Sequence, residues 1–248
     1  MQNITGPIAV CMALTGLWVD QREVIAQSEP DVSLGDESSI VIPDVTVNGV
    51  PSERIEGGAR RGEMLFHSFD EFSIGEGRGG YFANPDEVNT VFSRVTGTNQ
   101  SEILGTLGVL GDADLVFLNP NGILFGPDAQ LDLKGSLIVS TAQGIIFQNA
   151  EVFTALEPSV PSLLTMNIET PIGLVFEEPE QHQVDNNENH PFITVNSNRY
   201  VGRFSEPRGS DDTEDYEGLT VPDNQSLILV GGNILIENGV IKAPNGNI

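Results

Sequence analysis

Between residues 115 and 140 the chain reads LVFLNPNGILFGPDAQLDLKGSLIVS, four short apolar runs broken every few residues by Asn, Pro, Gly or Asp. The runs at 115–118, 123–125, 131–133 and 137–139 are too short for helices, and Asn-Pro-Asn-Gly and Gly-Pro-Asp are strong turn signals. Helix-breaking residues sit wherever a helix would have to continue. The stretch therefore predicts brief strands joined by tight corners.

The pattern recurs. Apolar runs at 103–107, 115–118, 123–125, 131–133, 137–139 and 145–147 are followed near the C-terminus by 227–230, 234–236 and 240–242. Three strands plus corners amount to about 20 residues per turn, within the range of stacked repeat architectures. The expected fold is all-β, a parallel β-helix with Leu, Ile, Val and Phe stacked inside. Asn and Gly would occupy the corners, where they tolerate positive φ. Ser39-Ile40-Val41-Ile42 and Val45-Thr46-Val47 flank Pro43-Asp44 and precede Asn48-Gly49, which predicts an N-terminal β cap. Such a cap satisfies the unpaired backbone at one open end of a solenoid. Residues 192–195 and 200–202 are expected to form a hairpin projecting from the helix.

Composition narrows the function. The 248 residues carry 36 acidic against 11 basic side chains, a formal charge of −25. Lysine occurs only as Lys134 and Lys242. Neutralising phosphates needs clustered Lys and Arg, so nucleic acid and anionic membrane surfaces are disfavoured partners. At 39% hydrophobic residues the chain can build a core. Its one cysteine, Cys11, excludes an internal disulfide framework and multi-cysteine metal sites. Residues 6–19 (GPIAVCMALTGLWV) have the length of a signal-peptide core and are too short to span a bilayer as a helix. Val24-Ile25-Ala26 resembles a small-residue cleavage site, so residues 1–26 read as an atypical signal peptide.

Polar interruptions at 158–161, 177–191 and 206–218 read as solvated loops. Asp211, Asp212, Glu214 and Asp215 match neither an EF-hand loop nor a Gly-rich calcium nonapeptide, and no metal is assigned. His67, His182 and His190 are scattered, and no nucleophile-elbow, zinc-helix or phosphate-loop pattern occurs. His67 is expected on the exposed face of a short strand. Carboxylate pairs such as Asp70/Glu71, Asp112/Asp114 and Asp128/Asp132 carry little information in so acidic a chain. No catalytic residue and no cofactor is assigned.

Asn119-Pro120-Asn121-Gly122-Ile123 resembles the Asn-Pro-x-Gly-Ile signature of the N-terminal secretion domain of two-partner secretion exoproteins, the filamentous haemagglutinin type. The likeness extends through Arg61-Gly62-Glu63-Met64-Leu65-Phe66-His67-Ser68-Phe69, Val91-Phe92-Ser93-Arg94-Val95-Thr96-Gly97, Ile103-Leu104-Gly105-Thr106-Leu107-Gly108 and Gly135-Ser136-Leu137-Ile138-Val139-Ser140-Thr141-Ala142. It is strongest over residues 34–176, within a secretion domain expected at 27–248, and resembles the long cyanobacterial members. The resemblance and the crossover rule imply a right-handed, single-stranded helix.

It also implies export through the periplasm and across the outer membrane to the medium or cell surface. The partner it implies is an Omp85-type transporter with periplasmic POTRA domains. A downstream region would contact cell-surface carbohydrate. The 119–123 motif has two compatible readings: a corner of the coil, and a region the transporter recognises. Asn84-Pro85 is a partial counterpart of the family's Asn-Pro-Asn-Leu companion motif. The alternative reading is a β-helical polysaccharide lyase or hydrolase, or a carbohydrate-binding protein; the scarcity of Arg and Lys counts against a lyase.

Overall fold

The computed structural model describes residues 27–156, 170–176, 192–200 and 216–248. The expected signal peptide at 1–26, the loops at 158–161 and 177–191, and most of the 206–218 acidic run lie outside the described residues.

Three ladders of short parallel strands run up the molecule, forming a β-solenoid of about six turns. The first contains Met64–Ser73, Thr90–Val95, Asp114–Leu118, Leu137–Ser140 and Leu227–Val230. The second stacks Ser101–Ile103, Ile123–Phe125, Phe192–Val195 and Asn233–Ile236, and the third Val50–Gly57, Gly79–Phe82, Thr106–Val109 and Gln130–Asp132. Leu65, Val91, Leu115 and Leu137 are successive register partners, so a turn takes 22 to 26 residues rather than about 20. The expected 103–107 strand is in fact two, because a corner falls at Leu104-Gly105. Gly105 packs so closely that a Cβ would lie 2.2 Å from the Arg78 carbonyl oxygen, so only glycine lets the coils approach there.

Side-chain alternation explains the strength of the apolar runs in the first ladder. Leu65, Val91, Leu115, Leu137 and Leu227 point into the coil and are fully buried there. Their neighbours Phe66, Phe92 and Val116 point outward and are buried as well, in a second cluster with Ile145, Phe147 and Phe153. A sheet covered on both faces reads as a continuous apolar run instead of an alternating one. The outer cover is an antiparallel sheet of Gly144–Phe147, Val152–Thr154 and Pro171–Val175. Phe66 stacks on Phe92 at 5.0 Å and meets Phe153 edge-on at 5.0 Å.

An extra-helical hairpin is therefore present, built from Gly144–Phe147 and Val152–Thr154. Residues 192–195, expected to form it, are a coil strand in register with Ile123–Phe125. Arg199–Tyr200 pairs instead with Tyr216–Glu217. Residues 145–147, expected as a coil strand, belong to the outer cover. The insertion between Ser140 and Phe192 separates two parts of one turn in sequence, which hides their shared register.

The N-terminal cap forms as expected. Ser39–Val47 and Val50–Gly57 make an antiparallel hairpin closed by Asn48-Gly49, with φ of 49° and 84°, the two positive angles of a type I′ turn. A register shift between Ile42 and Val45 accommodates Pro43-Asp44. Its second strand starts the third ladder, so the first coil has no bare edge on that side.

Candidate functional site

The 119–123 segment forms the corner between the first and second ladders. Pro120 has no N–H to extend the ladder, so the Asp114–Leu118 strand stops just before it. Gly122 N–H donates to the Asn119 carbonyl at 3.1 Å and closes a tight turn. The Asn119 side chain organises the rest. Its Oδ1 accepts from the Asn121 backbone N–H at 2.9 Å, an Asx turn. Its Nδ2 donates to the Asn99 carbonyl at 3.0 Å and to Ser101 Oγ at 2.9 Å, both in the coil before it. Asn119 N–H donates to the Ser140 carbonyl in the following coil at 3.0 Å.

One fully buried residue thus ties three coils together. Asn121 adds a tie, its Nδ2 donating to the Gly97 carbonyl at 2.7 Å. The positive φ of the corner, 109°, falls on Gly122; Asn121 stays in ordinary backbone space. A Cβ on Gly122 would lie 3.1 Å from the Phe192 carbonyl oxygen. Ile123 is buried in the core, leaving Asn121 exposed and Pro120 partly so.

Asn84 and Pro85 lie at a different corner, between the third and first ladders, and are not brought together with residues 119–123. Val88 N–H closes this turn on the Pro85 carbonyl at 3.3 Å, and Glu87 carries its positive φ of 67°. Asn84 Nδ2 makes only long bonds, 3.4 Å each, to the Pro85 and Val88 carbonyls. Its buried Oδ1 has no partner among the described residues and rests against Gly111 of the next coil.

Sequence reasoning missed the polar clasp on the outer face of the first ladder. Asp31 accepts from Ser33 Oγ, Ser68 Oγ and Thr96 Oγ1, each at 2.6 Å. Arg94, 2% exposed, donates to Ser68 Oγ at 2.8 Å, Ser33 Oγ at 2.7 Å and the Thr154 carbonyl, and its guanidinium lies 4.1 Å from the centre of the Phe153 ring. Burial lowers the Arg94 pKa to about 10, against the pull of Asp31, so it stays charged at neutral pH. Burial works to raise the Asp31 carboxyl, but its hydroxyl donors outweigh that and hold it below the usual range. The clasp joins the N-terminal segment, two coils and the outer cover. Its sequence signal, an Arg inside the apolar run VFSRV, gives no hint of partners so far along the chain.

The structure corrects the placement of His67. It is fully buried on the inner face of the Met64–Ser73 strand, with Nδ1 2.9 Å from Ser39 Oγ. Three of the paired carboxylates are engaged structurally. Asp112 pairs with Lys134 at 3.0 Å, Asp114 accepts from the Ser136 N–H at 2.6 Å, and Asp132 accepts from Tyr81 Oη at 3.0 Å and Asn48 Nδ2 at 2.8 Å. Among the described residues no three His, Cys, Asp or Glu side chains gather as a metal site.

Stacked polar corners, a capped first coil and an outer cover define a β-helical module. The chain belongs to the TPS secretion domain family, whose pattern it matches across residues 26–248. It is also 31% identical over 99 residues to the heme/hemopexin-binding protein of Haemophilus influenzae, a match covering 40% of this chain and 10% of that protein. The protein is thus a secretion module of the two-partner type, built as a β-helix, and it spans about a tenth of the length of the relative it matches.

Proposed function

We propose that the module is exported to the medium or the cell surface by a cognate outer-membrane transporter, which reads residues 119–123 before they fold, through its periplasmic POTRA domains, after the chain has crossed the periplasm unfolded. One observation carries this reading: Asn119, Gly122 and Ile123 are buried in the finished coil, so a partner can reach them only in an unfolded chain. Extended backbone adding to a strand edge supplies affinity through main-chain bonds and specificity through side-chain pockets. Binding and folding then compete for the same residues. Closing the corner takes Asn119 into its bonds with Asn99, Ser101 and Ser140, which releases the segment on the outer side. Each added coil buries apolar surface at about 25 cal/mol per Å2, a favourable term that opposes return through the pore.

In this reading the module is non-enzymatic, and any contact with cell-surface carbohydrate belongs to a downstream region. The ligand named for the Haemophilus protein is not carried over, because the likeness covers only a tenth of that protein.

The test presents the chain, diluted from denaturant, to the periplasmic domains of the cognate transporter. Asn119→Ala and Asn121→Ala serve as comparisons, and each variant is also tested as a short unfolded peptide to separate recognition from stability. Capture weakened in both formats supports the reading. Capture indifferent to both substitutions leaves the segment as a corner of the coil alone. A chain that translocates equally well after being folded and cross-linked overturns the coupling of folding to export.

A further inference from the structure

His67 is a buried titratable group that the secretion reading does not use. Its imidazole lies between the cap hairpin and the first coil. Nδ1 faces Ser39 Oγ, at the start of the hairpin, and that hydroxyl oxygen also accepts the Ser68 N–H at 3.3 Å. The Gly57-Gly58 link wraps the ring so tightly that a Cβ on Gly58 would lie 2.9 Å from Cε1. Phe82 and Phe69 pack at 5.3 and 6.3 Å between ring centres. The residue in register on the next coil is Ser93, also fully buried. Nε2 has no hydrogen-bond partner among the described residues.

We propose that His67 is an acid-sensitive latch holding the cap to the first coil: protonation places a charge in a sealed, largely apolar pocket and shifts the chain towards its open form. The module then folds more completely in neutral surroundings than in acidic ones. This inference does not depend on the role of the 119–123 corner.

The surrounding charges do not compensate. Arg94 and Asp31 lie on the opposite face of the sheet, Arg61 pairs with Glu37 at 2.7 Å, Arg60 with Glu87 and Arg78 with Asp44. Arg54 pairs with Glu56 at 2.7 Å, and the remaining acids on the packed elements are Glu29, Glu53, Asp70, Glu71 and Glu102. Burial is what lowers the His67 pKa, to about 3.

An unfolded histidine titrates near 6.5. The folded state binds the proton more weakly, so the latch's stabilisation is complete above that value and fades as pH falls from about 6.5 towards 3. Glu53, raised by burial, contributes with the opposite sign, its stabilisation lost as pH rises through its folded value.

The test is urea unfolding of the full chain at pH 7.5 and 5.5, where ordinary carboxylates remain ionised, in a His182→Gln, His190→Gln background. With His67 present, linkage predicts that the unfolding constant rises about tenfold between those values. With His67→Phe the change falls below about twofold. In parallel, NMR of the His67 ring in the folded protein is expected to show no titration down to pH 5. A ring that titrates near 6.5 while folded overturns the latch, as does a tenfold response that persists in His67→Phe. If His67→Phe does not fold, the ring titration of the unsubstituted protein decides.

Discussion

Two corners begin with the same dipeptide, Asn-Pro, and the coil uses them differently. At Asn119 the side-chain amide is fully used, donating to Asn99 and Ser101 and accepting from Asn121, while the backbone reaches Ser140. At Asn84 the amide makes only local bonds of 3.4 Å, and its oxygen is buried without a partner among the described residues. A strand ends ahead of Pro at either place, but the Asn119 side chain bonds to the neighbouring coil, whereas the bonds of the Asn84 side chain stay within its own turn. A shared motif therefore fixes a bend, while its energetic weight depends on what lies one coil above and below.

Substitutions can break this contrast in graded steps. Asn119→Ala should have the largest effect, about 2–4 kcal/mol, because it leaves Ser101 Oγ, the Asn99 carbonyl and the Asn121 N–H short of a partner in a buried corner; chemical denaturation reads it directly. Gly122→Ala should cost about 1–3 kcal/mol, since φ of 109° is strained for any residue with a Cβ and Phe192 O stands 3.1 Å away. Its effect should appear in the thermal midpoint. Asn121→Ala removes an exposed bond to Gly97 and a longer one to Asn119 Oδ1, and should lower stability by about 0.5–1 kcal/mol. Asn84→Ala should change stability by less than about 0.5 kcal/mol, because the weak bonds lost are offset by removing an unsatisfied oxygen. Equal losses for Asn84→Ala and Asn119→Ala in the same denaturation series would erase the distinction between the corners.

Much of the fold was legible because both faces of the first ladder are buried. That produced the unbroken runs at 115–118 and 137–139 and made the coil readable from local sequence. The cap was legible for another reason: Asn48-Gly49 demands positive φ at both positions, which favours a two-residue hairpin. Apolar runs do not reveal which sheet they join, however. Residues 145–147 cover the outside of the first ladder, while 192–195 return to the coil, and the two segments look alike in sequence.

His67 was misplaced for a similar reason. A polar side chain within a strand suggests the wet face, whereas here Ser39 of the cap supplies a partner 28 residues away. The candidate site was legible as a turn. Its anchoring was not, because Asn119 is held by Asn99 and Ser101, one coil earlier.

The central claim is that residues 119–123 serve the transporter only while unfolded and serve the coil only once folded. The most direct measurement compares capture by the transporter's periplasmic domains of the chain freshly diluted from denaturant with capture of the same chain after complete refolding. The account predicts that the unfolded chain binds, that binding weakens with Asn119→Ala, and that the refolded chain is not retained. Equal capture of folded and unfolded chain would contradict it.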